Sequence, residues 1–346
     1  MNSTANNSSP RLRIIVLGYI VRGPLGGLAW HHLHYVLGLA GLGHEVYFVE
    51  DSGDSAWSCY DPSKDITSTD PTYGLQFVGQ TFDRVGLGDR RAYYDAHTSR
   101  WLGPCADRIL KLCAGSDLLL NLSAVNPLRP WLMEIPARAL VDTDPVFTPI
   151  RHLTDGAARS LALQHKKFFS FGENIGRAGC AVPSDGLPWQ PTRQPVVLDL
   201  WPVTAGKQQG KFTTVMLWNS GPVLKYNGLC WGTKAESFDP YMDLPKESGH
   251  LFELAVGSPS APRVLLCSKG WLIVDPREPT RDPWTYQRYI QGSKGEFSVA
   301  QHAYVVSRSA NGDAVAFARI DLSPSWSPYA CDERLLYRDE KRRWAL

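Results

Sequence analysis

This chain has no apolar stretch free of charge that reaches the roughly 18 residues a membrane-spanning helix needs, so no such helix is expected. It has almost no net charge: 36 Lys and Arg against 34 Asp and Glu give +2. That near-neutrality argues against a nucleic-acid partner. Its seven cysteines are odd in number and form no C-x-x-C pair, which speaks against a disulfide framework or a zinc site and fits a reducing, cytoplasmic setting. No basic, apolar leader opens the chain; MNSTANNSSP is polar and reads as a disordered tail over 1–12. The G-x-G-x-x-G fingerprint, the G-x-x-x-x-G-K-[ST] phosphate loop and the G-x-S-x-G nucleophile elbow are all missing. A plain dinucleotide enzyme, a P-loop NTPase and a serine hydrolase therefore have no anchor.

What is present is an α/β rhythm. The 346 residues, 43% hydrophobic and 20% charged, suit an ordinary globular protein of two domains. Arg13–Asp51 predicts strand, glycine loop, helix and strand: Arg13–Gly18 is β-branched and apolar, Gly23, Pro24, Gly26 and Gly27 break it, and Glu45–Val49 closes the unit. Such a βαβ unit implies a parallel sheet whose ligands sit at the strands' carboxyl ends. Asp54–Tyr73 is expected to be a long loop, Gly74–Val85 and Trp101–Ala114 helices, and Asp117–Leu122 a buried strand. Pro136–Val141, Lys167–Phe171, Phe212–Leu217, Leu251–Val256 and Trp271–Val274 predict further strands, with one more inside Glu296–Val306. Helices are expected over Asp155–His165, Ala261–Lys269 and Pro283–Ile290. Pro183, Pro188, Pro191, Pro195 and Pro202 exclude a helix over Cys180–Pro202, which reads as an interdomain linker.

The run Pro24-Leu25-Gly26-Gly27-Leu28-Ala29-Trp30-His31, followed by a helix ending in G-H-E-V, resembles the amino-terminal acceptor domain of GT-B glycosyltransferases, closest to their retaining, glycogen-synthase-like branch. Leu140–Pro145 and Phe169–Ile175 resemble segments of bacterial glycosyltransferase-like proteins. The resemblance implies two Rossmann-like doubly wound domains. An acceptor domain would span 13–180, a linker 181–202 and a donor domain 203–309. It also implies a nucleotide-sugar as substrate, an acceptor hydroxyl as partner and no tightly bound metal or cofactor. The donor domain then has only about 100 residues, small for its kind. The segment 310–346 shows no E-x₇-E pattern and looks atypical, so the chain reads as truncated. The alternative is a catalytically inactive GT-B-like protein that binds a carbohydrate or a protein partner. Peripheral contact with a membrane stays open.

Candidate site residues follow. Gly26 and Gly27 would let backbone approach an acceptor or phosphate, with His31 and His32 beside them. A neutral His can take a proton near pH 7, and His31 matches the His of the resembled loop; the bland role is packing or capping. Asp142 and Asp144 follow an apolar strand and, spaced by two, would point the same way for acid/base work or to hold a divalent ion with waters, or else cap the next turn. Glu173 stands at another strand end. On the donor side, Trp218 and Asn219 end a strand, and Lys225, Lys234, Arg281, Arg288 and Arg308 are the cations available to a pyrophosphate.

Overall fold

The computed structural model describes residues 10–204, 207, 209–309 and the backbone of 315–319. The amino-terminal tail through residue 9 and the rest of the atypical tail lie outside the described residues. The first half runs β1 (Arg13–Leu17), α1 (Gly26–Gly41), β2 (Glu45–Asp51), the hairpin β3 (Cys59–Asp61) and β4 (Ile66–Ser68), α2 (Thr72–Arg84), β5 (Arg91–Asp95), β6 (Arg100–Leu102), α3 (Ile109–Ala114) and β7 (Leu118–Leu122). It continues through α4 (Pro130–Met133), β8 (Ala137–Asp142), α5 (Phe147–Thr154), α6 (Gly156–Leu163), β9 (Lys167–Ser170) and β10 (Gln190–Pro191). The second half holds β11 (Phe212–Leu217), the hairpin β12 (Leu224–Tyr226) and β13 (Leu229–Trp231), α7 (Lys234–Phe238), α8 (Leu244–Ser248) and β14 (Phe252–Gly257). It ends with α9 (Arg263–Ser268), β15 (Leu272–Val274), α10 (Arg277–Thr280), α11 (Pro283–Gln291), β16 (Gly295–Val299), α12 (His302–Ser307) and β17 (Val315–Arg319).

The first sheet has eight strands in the order β10-β9-β8-β7-β1-β2-β5-β6, parallel except for β6. The second has five, β15-β14-β11-β16-β17, parallel except for β17. The residues of β1 explain the first arrangement. Ile14 and Val16 face one apolar cluster with Trp30, Leu33 and Val36 of α1, while Ile15 and Leu17 face another with Leu112 and Leu119. A strand apolar on both faces belongs in a parallel sheet covered on both sides. Helix α1 has no side-chain cap and no acidic first turn, so packing holds it rather than its ends. Leu33 and Val36 are each fully buried, worth roughly 1.5–3 kcal/mol against exposure.

Three stretches differ from the sequence reading. Trp101–Ala114 is not one helix: the strand β6 ends at Leu102, Gly103 takes φ 100°, and only Ile109–Ala114 is α-helical. The expected loop 54–73 carries the β3–β4 hairpin. The proline-rich stretch 180–202 has no α-helix, but it is no bare tether, since Gln190–Pro191 adds an edge strand to the first sheet. It is also pinned to α1, where Gln194 donates to the His31 carbonyl at 3.0 Å and His34 Nδ1 accepts from Val197 N–H at 3.1 Å.

Candidate functional site

Both sheets reverse strand order at a central strand, and the crevice at such a reversal is where open sheets hold ligands. In the first sheet β2 and β7 flank β1, so the chain leaving β1 enters that crevice. The loop there is shaped by Glu50, the buried end of β2. Its carboxylate accepts from the backbone N–H groups of Ile20, Val21 and Arg22 at 2.6, 2.7 and 2.8 Å, with the Arg22 guanidinium 3.5 Å away. Burial pushes its pKa up, and Arg22 and the three amides pull it back. Asn126 closes the loop from the other side, donating to the Gly18 carbonyl at 2.8 Å and accepting from Arg22 and from Asp51 N–H. Sequence reasoning passed over Glu50 because nothing local tells a strand-end carboxylate that holds a loop from one that faces water.

His31 and His32 are held as neutral rings. His32 is fully buried; its Nε2 accepts from Tyr19 N–H at 3.1 Å, so the proton sits on Nδ1, which donates to the Leu28 carbonyl at 2.9 Å. Burial drives its pKa down to about 3. With both nitrogens spent on backbone, His32 braces the loop and does not face a ligand. His31 lies beside it against Tyr35 and Phe171, its pKa lowered to about 4 by burial with the Gln194 side chain opposing.

Asp142 and Asp144 part company. Strand β8 ends at Asp142, so the alternation that would align the two side chains stops there. Asp142 is buried and accepts from Ser170 Oγ at 2.6 Å and from the Asp144 N–H at 2.8 Å. Burial outweighs these bonds and pushes its carboxyl up to about 6. Asp144 turns toward the second half, accepts from the Tyr304 hydroxyl of α12, and lines a cavity of about 250 Å³ with Arg151, Ser220, Thr233 and Gln301.

A larger cleft of about 820 Å³ opens where β11, β14 and β15 end. Leu217, Gly257 and Val274 form one wall, Gly27 and Leu28 the other, and Tyr286 of α11 contributes to the lining. Arg263 stiffens that wall by donating to the carbonyls of Ser258 and Val256 at 3.0 and 2.9 Å. Tyr60 and Asp65 of the β3–β4 hairpin reach the same cleft, where Asp65 stands 3.9 Å from Arg277.

At the second sheet's own switch point, strands β11 and β16 form ladder pairs only at Phe212↔Gly295 and Thr213↔Glu296, and the Thr214 hydroxyl then donates to the Phe297 carbonyl. Lys234, first residue of α7, follows Thr233 of the smaller cavity, and burial lowers its pKa while Glu296 opposes. Burial raises the pKa of Glu296, with Lys234 opposing, and Glu296 raises Tyr286 in turn, behind burial. A capping box opens α7, in which Thr233 N–H donates to Glu236 at 2.6 Å. The charges of Lys234 and Glu296 thus couple at the switch point without a direct ion pair among the described residues.

Other expected residues sit elsewhere. Trp218, one residue past β11, turns into the second core, 6% exposed and 5.0 Å from the Phe238 ring. Asn219 braces strand-end loops, donating to Ser260 and accepting from Thr233, both at 2.9 Å. Arg308 is exposed at the end of α12 with φ 51°, and its carbonyl accepts from Asn174. Lys225 is exposed, and Glu173 pairs with Arg193. Gly26 does approach something closely, but it is protein: a Cβ there would meet the Asp282 carbonyl oxygen at 2.4 Å, and one on Gly27 the Tyr286 ring at 3.1 Å. Among the described residues no cluster of His, Cys, Asp and Glu could hold a metal ion, and no helix is long and apolar enough to cross a membrane.

No protein family and no curated protein matches the sequence. Among solved structures the fold is similar to an alpha-glucosyltransferase in complex with UDP and a 13-mer DNA containing a HMU base, at 13% identity and TM-score 0.39 over 75% of this chain and 61% of that one. It is similar to that enzyme in complex with UDP at the same identity and TM-score. It is also similar to LpCGTa in complex with UDP, at 10% identity and TM-score 0.40 over 77% and 70% of the two chains. The chain thus spans 61% of the length of the first of these.

Proposed function

We propose that the two sheets are two Rossmann-like domains of a GT-B-type glycosyltransferase, and that the cleft between them moves a sugar from a nucleotide-sugar to a hydroxyl acceptor. One observation carries this reading. The cleft of about 820 Å³ is walled by strand ends of one sheet and by Leu25, Gly27 and Leu28 at the start of α1 beside the other. Its size falls within the range of roughly 300–1,000 Å³ usual for small-molecule sites.

In this reading the nucleoside lies against Leu217 and Val274. The diphosphate runs from the cleft, whose lining includes Arg263 and Arg277, toward Lys234, which lies beyond that lining and next in sequence to Thr233 of the smaller compartment; its ammonium offsets the charge that builds when the bond from the anomeric carbon to phosphate oxygen breaks. The acceptor enters the smaller compartment. Its oxygen forms the new bond to the anomeric carbon, and Asp144 takes the proton that it loses. Asp142 supports Asp144 through the backbone bond between them. Holding the two substrates in register between two domains supplies the entropic part of the rate.

The test is a thermal-shift titration of the chain with UDP, GDP and ADP and their glucose conjugates. One nucleotide class should raise the melting temperature in a saturable way, by mass action, and Lys234→Ala should weaken that effect about tenfold or more. If no nucleotide shifts the melt of the wild-type chain, the reading falls.

A further inference from the structure

A second groove, of about 390 Å³, separates α2 of the first half from the α10–α11 segment of the second. Gln76, Gln80 and Arg84 stand one turn apart along α2; Arg281, Trp284 and Arg288 line the opposite side. Trp284, Thr285 and Arg288 share one face of α11, while Tyr286 looks the other way into the cleft described above.

Three guanidiniums converge here. Arg281 Nε and Arg288 Nη2 both donate to the one hydroxyl of Thr285, at 3.3 and 2.9 Å. The Arg84 guanidinium lies 4.0 Å over the Trp284 ring, so the ring holds it in place beside the other two. The lining includes one carboxylate, Asp282, which is engaged by the N–H groups of Trp284 and Thr285 and by the Thr285 hydroxyl, and stands 3.6 Å from Arg281 Nε. Three fixed positive charges thus share a polar groove with one carboxylate already committed to a helix cap. Each guanidinium brings five donors, of which the protein uses few here.

We propose that this groove binds a phosphate monoester of a small polyhydroxylated molecule. The phosphoryl dianion matches converging guanidiniums, which bind such oxygens in pairs. The carboxamides of Gln76 and Gln80, able to donate and to accept, suit the hydroxyls of the rest of the ligand. Because one wall belongs to each half, the bound ligand ties α2 to α11. The site stands independently of the reading of the cleft.

Calorimetry on the full chain tests it, with ribose 5-phosphate as probe and ribose and inorganic phosphate as controls. Ribose 5-phosphate is expected to bind one to one, more tightly than either control, and to weaken as salt rises. Arg84→Ala with Arg288→Ala should weaken it about tenfold or more without lowering the melting temperature by more than a few degrees, since both side chains are exposed. Lys234→Ala should leave it unchanged, which separates this groove from the cleft. Absence of binding by the wild-type chain would overturn the proposal. So would equal binding of either control, undiminished binding by the double variant, or loss of binding in Lys234→Ala.

Discussion

The Tyr304 hydroxyl donates to the Asp144 carboxylate, joining α12 of the second half to the end of β8 in the first. Burial raises the Asp144 pKa, and this bond pulls it back. The same contact lifts the Tyr304 phenol well above its ordinary range, behind burial, so the proton stays on the tyrosine. Tyr304→Phe removes the donor and leaves a deeply set carboxylate short of a partner. The expected cost is about 1–3 kcal/mol, read as a lower melting temperature at pH 7. The carboxyl should also hold its proton to higher pH, so any transferase activity should shift its acid limb upward. An unchanged melt would mean that water replaces the phenol at no cost.

At Gly26 the two halves pack backbone against backbone. A methyl group there would sit 2.4 Å from the backbone oxygen of Asp282, which cannot move aside as a side-chain tip could. Gly26→Ala should therefore push α1 and α11 apart and disturb the Trp30 indole bond to the Pro283 carbonyl, 2.6 Å long. The expected loss is about 1–3 kcal/mol, with weaker nucleotide binding in the adjoining cleft. Denaturant unfolding and a nucleotide titration of the same variant measure both. Full stability in Gly26→Ala would show that the contact is not tight in solution.

How far the sequence showed this is clearest in that same loop. The β-branched run, the glycines and the apolar helix spacing were enough to place β1, α1 and β2, because each is a local signal. The neighbour of Gly26 was not legible: it arrives from residue 282, and a glycine needed for close approach looks the same whether ligand or protein approaches. Asp142 and Asp144 were legible as strand-end carboxylates, but the shared direction expected of them does not hold, since period two lasts only as long as the strand. The hairpin at Cys59–Ser68 was missed because Ser, Thr, Asp and Pro surround short strands that never alternate. Among the candidate cations, nothing in the sequence separates Lys234, which interacts with Glu296, from Arg281 and Arg288, which line the groove beside α2.

Glu50 offers a test of the loop's preorganisation. Its carboxylate serves three amides at once, something a carboxamide of the same shape cannot do, because its NH₂ would face donors. Glu50→Gln should leave at least one buried N–H unsatisfied and lower stability by roughly 1–3 kcal/mol. Hydrogen exchange at Ile20, Val21 and Arg22 should speed up, while the amides of the second sheet keep their protection. Equal exchange in both proteins would remove Glu50 as the organiser of the loop.

Asp142 makes a prediction about pH. The folded protein holds its proton up to about pH 6, whereas an unfolded aspartate gives it up near 3.8. Between those values the native state binds more protons than the unfolded one, so this group's contribution falls as pH rises through the window and stays unfavourable above it. Asp142→Asn keeps the shape and still accepts from the Asp144 N–H, while the Ser170 hydroxyl can turn to accept from the new amide. The variant should match the wild type near pH 3.8 and exceed it by roughly 1–3 kcal/mol at pH 7. The informative quantity is the difference between the two proteins' unfolding free energies across pH 4–7, because the other titrating groups cancel in it. A flat difference would place the Asp142 carboxyl at its ordinary pKa, and a difference that shrinks as pH rises would mean that the charged form is the stabilising one.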